Sequence, residues 1–201
     1  LNDSTAPTMT ITAAEVSDGG TSNDATLSLT FTSSEATSNF AVGDISVSGG
    51  SLSSFSASSS TVYTATFTPS AAGATTINVA GATFTDSVGN DNSAATEFNW
   101  TYDGTAPTMT ITAAEVSDGG TSNDATLSLT FTSSEATVNF AVGDITVSGG
   151  SLGSLSASSS TVYTATFTPS GDGATTVNVA GATFTDGASN DNSTATEFNW
   201  T

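Results

Sequence analysis

The most constraining feature of this chain is that its second half repeats its first half almost residue for residue. Shifting the 201-residue sequence by 100 positions places Thr5-Ala6-Pro7 on Thr105-Ala106-Pro107, and 14 of the 100 aligned pairs differ. About 100 residues is an ordinary domain size and is enough for one modest core. We therefore predict two copies of one domain, residues 1–102 and residues 103–201. Since the chain begins and ends at the same phase of the repeat, we expect it to belong to a longer array.

Within each repeat, apolar and polar residues alternate with a period of two, which indicates half-buried β-strands. Leu27, Leu29 and Phe31 alternate with Ser and Thr, and a later alternating run ends at Pro69. Turn signals separate about seven such runs, and no helical period is present. This pattern predicts an all-β fold, a Greek-key β-sandwich in each repeat.

Three local features refine this prediction. Phe98, Trp100 and Tyr102 form the last alternating run of the first repeat, so we expect the Trp to lie in the core. The stretch around Leu52 and Phe55 predicts a short, irregular edge. A change of phase after Val79 predicts a β-bulge near Gly81.

The charge balance is extreme: the chain has 19 carboxylates and no Lys, Arg or His. Nucleic acids and anionic membranes require positive charge, so neither is expected as a partner. Direct membrane insertion is not expected because no apolar run approaches 18 residues. Without a His or Lys base, no serine can be activated in a hydrolytic triad, so we expect no enzymatic activity.

Four motifs in the first repeat resemble the bacterial immunoglobulin-like repeats of large surface adhesins. They are Thr5-Ala6-Pro7, the segment 40–45 (Phe-Ala-Val-Gly-Asp-Ile), the segment 63–69 ending in Pro69, and the segment 81–86 followed by Gly89-Asn90. The second repeat follows the same course. The resemblance implies two tandem immunoglobulin-like sandwiches, an extracellular or cell-surface location and a spacer role.

The acidic residues concentrate in predicted loops, and a sandwich topology places these loops at its two poles. We predict that Glu15 and Asp18 from one pole of the first repeat meet carboxylates at the facing pole of the second. Calcium is the expected cofactor because it accepts six to eight oxygen ligands and needs no His or Cys. The predicted metal ligands are Glu15, Asp18, Asp103, Glu135, Asp144 and Asp186, followed by Asn190 and Asp191.

A simpler interpretation of these loops stands beside the calcium hypothesis. Asp, Asn and Gly are common turn residues, and the loop from Asp86 to Asn92 would then use its side chains to cap its own backbone. No EF-hand spacing is present.

We therefore predict structural extender repeats of a long extracellular bacterial surface or adhesin protein, with calcium making the junctions between neighbouring repeats rigid. One alternative is a subunit of an extracellular filament that self-associates end to end or by β-strand exchange. Another is a module that binds carbohydrate weakly and multivalently.

Overall fold

The computed structural model describes residues 3–201, and the chain divides into two compact units, Leu1–Gly104 and Thr105–Thr201. Each unit is a two-sheet β-sandwich with its own apolar core. This confirms the all-β fold expected from the alternating pattern. Among residues 3–201 there is no helix whose length and hydropathy would let it span a membrane.

The first unit contains eight strands: β1 (Met9–Ala13), β2 (Gly20–Ser22), β3 (Leu27–Ser33), β4 (Ile45–Ser48), β5 (Gly50–Ala57), β6 (Val62–Pro69), β7 (Gly73–Val79) and β8 (Phe98–Tyr102). One sheet has the order β1-β3-β6-β5 and the other the order β2-β8-β7-β4. All pairs are antiparallel except β2 with β8, which is parallel. The sequence pattern did not reveal β2, because Gly20 ends the turn signal Asp18-Gly19-Gly20 and no alternation of apolar and polar residues follows it.

The second unit repeats this architecture with β9 (Met109–Ala113), β10 (Leu127–Ser133), β11 (Ile145–Ser148), β12 (Gly150–Leu152), β13 (Ser156–Ala157), β14 (Val162–Pro169), β15 (Thr175–Val179) and β16 (Phe198–Trp200). One sheet has the order β12-β14-β10-β9, with β13 also pairing β14, and the other has the order β11-β15-β16.

The inward faces of the two sheets form the core of each unit. Leu27, Leu29 and Phe31 of β3 are buried, as the period-two pattern predicts. Trp100 is 1% exposed, which confirms its predicted place in the core. Full burial of a Leu or Phe side chain contributes about 1.5–3 kcal/mol to the stability of the fold. Because the same positions are buried in the second unit, the two cores are equivalent.

The predicted irregular edge is confirmed, whereas the predicted bulge near Gly81 is wrong. In β5 the register with β6 shifts between Ser53 and Ser56, and Ser54 has a φ of 53°. The phase change after Val79 has another cause: β7 ends at Val79, and the chain leaves the sheet through Ala82, whose φ is 58°. Phe84 then enters the core from a loop rather than from a strand.

Candidate functional site

Three carboxylates from separate parts of the first unit meet at one place. Asp3 precedes β1, Glu35 follows β3, and Asp86 lies in the loop between β7 and β8. One oxygen of each lies within 4.8 Å of the others. A β-bridge between Thr37 and Asp86 brings the last two segments together. We call these three residues the first acidic group.

The same group recurs 100 residues later as Asp103, Glu135 and Asp186, again with one oxygen each within 4.8 Å. A bridge between Thr137 and Asp186 joins the corresponding segments. We call this the second acidic group. It contains three of the eight residues that the sequence predicted as metal ligands.

Asp86 is 2% exposed, and its carboxylate organises the loop that follows it. Oδ1 accepts backbone N–H groups from Val88 at 2.9 Å, Gly89 at 2.7 Å and Asn90 at 2.9 Å. Oδ2 accepts the side-chain amide of Asn90 at 2.7 Å. Burial raises the pKa of Asp86, but these hydrogen bonds outweigh it and leave the pKa below its ordinary value. The loop is therefore capped by its own side chains, as the simpler interpretation predicted.

The pKa of Glu35 is raised, whereas that of Asp86 is lowered. Burial is the larger cause of a raised pKa, and the negative charges of Asp3 and Asp86 raise it further. With no Lys or Arg in the chain, no side-chain cation offsets this repulsion. The first acidic group therefore disfavours its fully ionised form unless a cation joins it.

Asp186 of the second acidic group and the remaining predicted ligands of the second unit also take part in local structure. Asp186 Oδ1 accepts the N–H groups of Ala188 at 2.8 Å and Asn190 at 2.9 Å, and its Oδ2 accepts the Asn190 side-chain amide at 2.9 Å. Asp144 Oδ2 accepts the N–H of Ala141 at 2.8 Å and closes a 3-10 turn. Asp191 is exposed and bridges to Thr185. Asp144 and Asp191 are not members of the second acidic group.

Glu15 and Asp18 are also used within their own unit. Glu15 Oε2 accepts the N–H of Ser28 at 2.8 Å, and Asp18 Oδ1 accepts the N–H of Asn99 at 2.7 Å. Burial raises the pKa of Glu15, but the hydrogen bonds from Ser28 outweigh it, so the pKa is lowered. Both residues line a groove of about 310 Å³, which Phe98 also lines. Their predicted association with carboxylates of the second unit stays a prediction.

The acidic groups have the composition that calcium prefers. Calcium–oxygen distances are about 2.3–2.6 Å, so two ligands of one ion lie at most about 5 Å apart. The carboxylate oxygens of each group satisfy that spacing. Three carboxylates supply three of the six to eight oxygens needed, and backbone oxygens and water would supply the rest. Zinc is disfavoured because no His or Cys is present.

Comparison with family models identifies both repeats. The model described as "Bacterial Ig-like domain" matches residues 3–102 and residues 103–201. The chain belongs to this family of bacterial Ig-like domains. The resemblance deduced from the four sequence motifs is thereby confirmed.

Solved structures that resemble these Ig-like repeats include two from Yersinia pseudotuberculosis. InvD is 15% identical with a TM-score of 0.43, over 96% of this chain and 56% of that one. The adhesin InvE is 17% identical with a TM-score of 0.35, over 96% and 58%. The chain thus spans a little over half of each structure. Comparison with curated protein sequences gives no significant match.

The sequence analysis missed the first acidic group of the Ig-like repeats, although the signal was present. Asp3, Glu35 and Asp86 lie 100 positions before Asp103, Glu135 and Asp186. Any ligand set proposed within one repeat therefore applies to the other as well. The prediction instead combined Glu15 and Asp18 of the first repeat with carboxylates of the second, and it omitted Asp3, Glu35 and Asp86.

Proposed function

We propose that these Ig-like repeats are structural extender modules of a bacterial surface protein of the adhesin type, exposed outside the cell. One observation carries the proposal: the chain consists of two nearly identical sandwiches, each with a complete core. Near identity favours a role that depends on the number of copies, since divergent chemistry would need divergent loops. An eight-residue strand such as β6 spans about 26 Å, so long reach requires many copies.

The absence of the usual catalytic bases supports the same conclusion. The chain has no His, Lys or Cys, and its large aromatic side chains are used in the two cores. Any general base acting near neutral pH would have to be a carboxylate. We propose that the repeats are not enzymes.

Calcium is the proposed cofactor, held by the acidic groups. Asp103 belongs in sequence to the short segment that connects the repeats, Asp103-Gly104-Thr105-Ala106-Pro107. A ligand from this segment would fix the segment when calcium binds, and Pro107 already restricts its backbone. We propose that calcium thereby makes the connection between neighbouring repeats rigid.

Small-angle X-ray scattering of the 201-residue chain tests the rigidity. With calcium the proposal expects one narrow range of maximum dimensions, and with a chelator a broader range that includes more compact forms. Glu135→Gln should give the chelator result even with calcium, while Glu115→Gln serves as a charge-matched control outside the acidic groups. Identical scattering with calcium and with chelator would count against calcium-dependent rigidity.

The filament and carbohydrate-binding alternatives predict different results, and each has its own experiment. Electron microscopy at high calcium distinguishes the filament, because discrete short rods favour extender modules and long regular fibres favour self-assembly. A glycan array at high protein concentration tests carbohydrate binding, and a negative result removes it.

A further inference from the structure

Three asparagines among residues 3–201 stand in the sequence Asn-X-Ser/Thr, the acceptor motif for N-linked glycans. They are Asn99 and Asn199, each in Asn-Trp-Thr, and Asn192 in Asn-Ser-Thr. A fourth, Asn2, lies outside the residues that the structure describes. A motif this short arises often by chance, so the sequence alone does not select an acceptor. The fold does, because the three sites differ in burial and in the use of the side-chain amide.

The motif at Asn192 is not compatible with a glycan in the folded unit. Its side chain is 3% exposed. Oδ1 accepts the N–H groups of Thr183 at 2.8 Å and Phe184 at 3.0 Å. Nδ2 donates to the carbonyls of Ala180 at 2.8 Å and Ser193 at 2.9 Å. A sugar on Nδ2 would remove one of these bonds and would have no room at a buried position.

Asn99 meets the opposite conditions. It is exposed and lies in β8 between Phe98 and Trp100, whose side chains are buried. Since successive side chains of a strand point to opposite faces, Asn99 projects from the outer face of its sheet. Among the described residues, its Nδ2 donates a single hydrogen bond, to the Glu97 carbonyl at 3.3 Å. An N-linked glycan replaces one of the two N–H groups of the amide and leaves the other for that bond.

Glu97 and Thr101 complete the acceptor segment. Residues two positions apart on an extended chain lie on the same face, so Glu97, Asn99 and Thr101 share the outer face. A transferase that binds the extended segment from this side contacts a carboxylate, the acceptor amide and the Thr hydroxyl together. Asn192 lacks this arrangement, because the residue two positions before it is Asn190.

The backbone of Asn99 belongs to the sheet, so transfer of a glycan has to precede folding. The N–H of Asn99 donates to Asp18 Oδ1 at 2.7 Å, and its carbonyl accepts the N–H of Gly19 at 2.7 Å. On the other side Asn99 is paired with Thr76 of β7. A transferase that must surround an extended acceptor does not reach it in this state. The unfolded chain offers the same segment freely during export.

We infer that Asn99, together with Asn199 in the identical segment 197–201, is an acceptor for an N-linked glycan. The donor is an oligosaccharide carried on a polyprenyl diphosphate. Nδ2 forms a bond to the anomeric carbon of the first sugar, while the bond from that carbon to the diphosphate oxygen breaks. The amide proton passes to a base of the transferase, and polyprenyl diphosphate leaves. The inference rests on the proposed extracellular location, because export brings the chain to such a transferase.

The glycan lies over the outer face of the sheet β2-β8-β7-β4. Thr76, the direct partner of Asn99 on β7, presents a hydroxyl on the same face. The buried side chains of β8 point the other way, so the sugar does not disturb the core. We therefore expect the glycosylated unit to fold and to keep its stability.

The test synthesises the 201-residue chain in a cell-free system that contains a purified bacterial oligosaccharyltransferase and its lipid-linked oligosaccharide. The transferase then meets the acceptor before folding. Intact mass counts the glycans, and digestion before Asp residues locates them, since trypsin has no site in a chain without Lys or Arg. The folded fraction should carry glycans on Asn99 and Asn199 and none on Asn192.

Matched variants assign the first glycan. Asn99→Gln and Thr101→Ala should each remove one glycan from the intact mass, whereas Thr101→Ser should retain it, because the motif accepts either hydroxyl residue. The glycan on Asn99 should change the melting temperature of the first unit by less than about 4 °C.

Two results would overturn the inference: no glycan on Asn99 in the parent chain, or a glycan on Asn99 that is found only in the unfolded fraction. Either result leaves the extender role standing, since that role does not require a glycan. Conversely, scattering that contradicts calcium-dependent rigidity would not alter the mass of the glycosylated chain. The two proposals can therefore fail separately.

Discussion

Asn92 and Phe84 hold each other through two hydrogen bonds. The backbone N–H of Phe84 donates to Asn92 Oδ1 at 3.0 Å, and the backbone N–H of Asn92 donates to the Phe84 carbonyl at 3.0 Å. Phe84 is 1% exposed, and its ring lies 5.1 Å from that of Phe40. A polar side chain in a loop thus fixes an aromatic ring in the core. Asn92 is itself buried, so its own polar atoms must also be satisfied.

We predict that Asn92→Ala destabilises the first unit by about 2–4 kcal/mol, measured by urea unfolding. The side chain also accepts the N–H of Thr83 and donates to the carbonyls of Ala80 and Ser93, and buried groups left without partners are costly. Asn192→Ala should cost about as much in the second unit, where the same bonds recur. A loss below about 1 kcal/mol in both would contradict this role.

A second prediction uses the natural difference between Phe55 and Leu155. In the first unit the ring of Phe55 stacks on Tyr63 at 5.8 Å and meets Phe40 at 5.7 Å. In the second unit Leu155 lines a recess of about 430 Å³ beside Phe140 and Tyr163. Leu155→Phe should therefore stabilise that unit by about 0.5–1.5 kcal/mol through the restored ring contacts.

Scanning calorimetry measures this change, and the reverse substitution provides its control. Phe55→Leu should destabilise the first unit by a similar amount. If Leu155→Phe lowers the melting temperature of the second unit, the recess does not accept the ring as the first unit does.

The third prediction concerns pH in calcium-free buffer. The pKa of Glu35 is raised by burial and by Asp3 and Asp86, so the folded state binds a proton at a higher pH than the unfolded state. The first unit should therefore gain stability as pH falls from neutral towards 4.5, and lose that gain as pH rises. Urea unfolding at a series of pH values in chelator measures it. Glu35→Gln should remove this dependence, and an unchanged pH profile in that variant would refute the assignment.

The fourth prediction concerns Glu15 and Glu115, whose contribution to stability decreases as pH falls, the opposite of the change expected for Glu35. Each accepts the N–H of a serine, Ser28 or Ser128, at 2.8 Å, and each has a lowered pKa. Their contribution is present above the ordinary pKa of 4.5 and is lost as pH falls below it. In Glu15→Gln the loss of stability between pH 4.5 and pH 3 should be smaller than in the parent chain. Equal acid sensitivity would show that this hydrogen bond does not favour the carboxylate.

Much of the fold could be predicted from the sequence because burial follows a simple period. Leu27, Leu29 and Phe31 alternate with hydroxyl residues, and that alternation locates a strand and its inward face. Strand β2 has no such pattern. Gly20–Ser22 becomes a strand only because Trp100 and its neighbours present backbone partners from 80 residues away. Similarly, the change of phase at Phe84 predicts a bulge near Gly81, since nothing local shows that Asn92 holds Phe84 in place from a loop.

The sequence predicted that carboxylates would gather into a site suited to a cation, but it identified only some of the residues that form it. The lack of any basic residue made a cation the natural partner of Asp103, Glu135 and Asp186, and the structure brings these three together. Asp144 was chosen because it lies in a neighbouring loop, yet its carboxylate closes its own turn at Ala141. Loop position alone does not tell which direction a side chain takes.

The most direct test of the calcium proposal is scanning calorimetry of the 201-residue chain with calcium and with a chelator. Glu35→Gln and Glu135→Gln are measured beside the parent, each removing one carboxylate from one acidic group. Calcium should raise the melting temperature of the parent, and each substitution should reduce the increase in its own unit. Equal melting temperatures of the parent with calcium and with chelator would contradict the account.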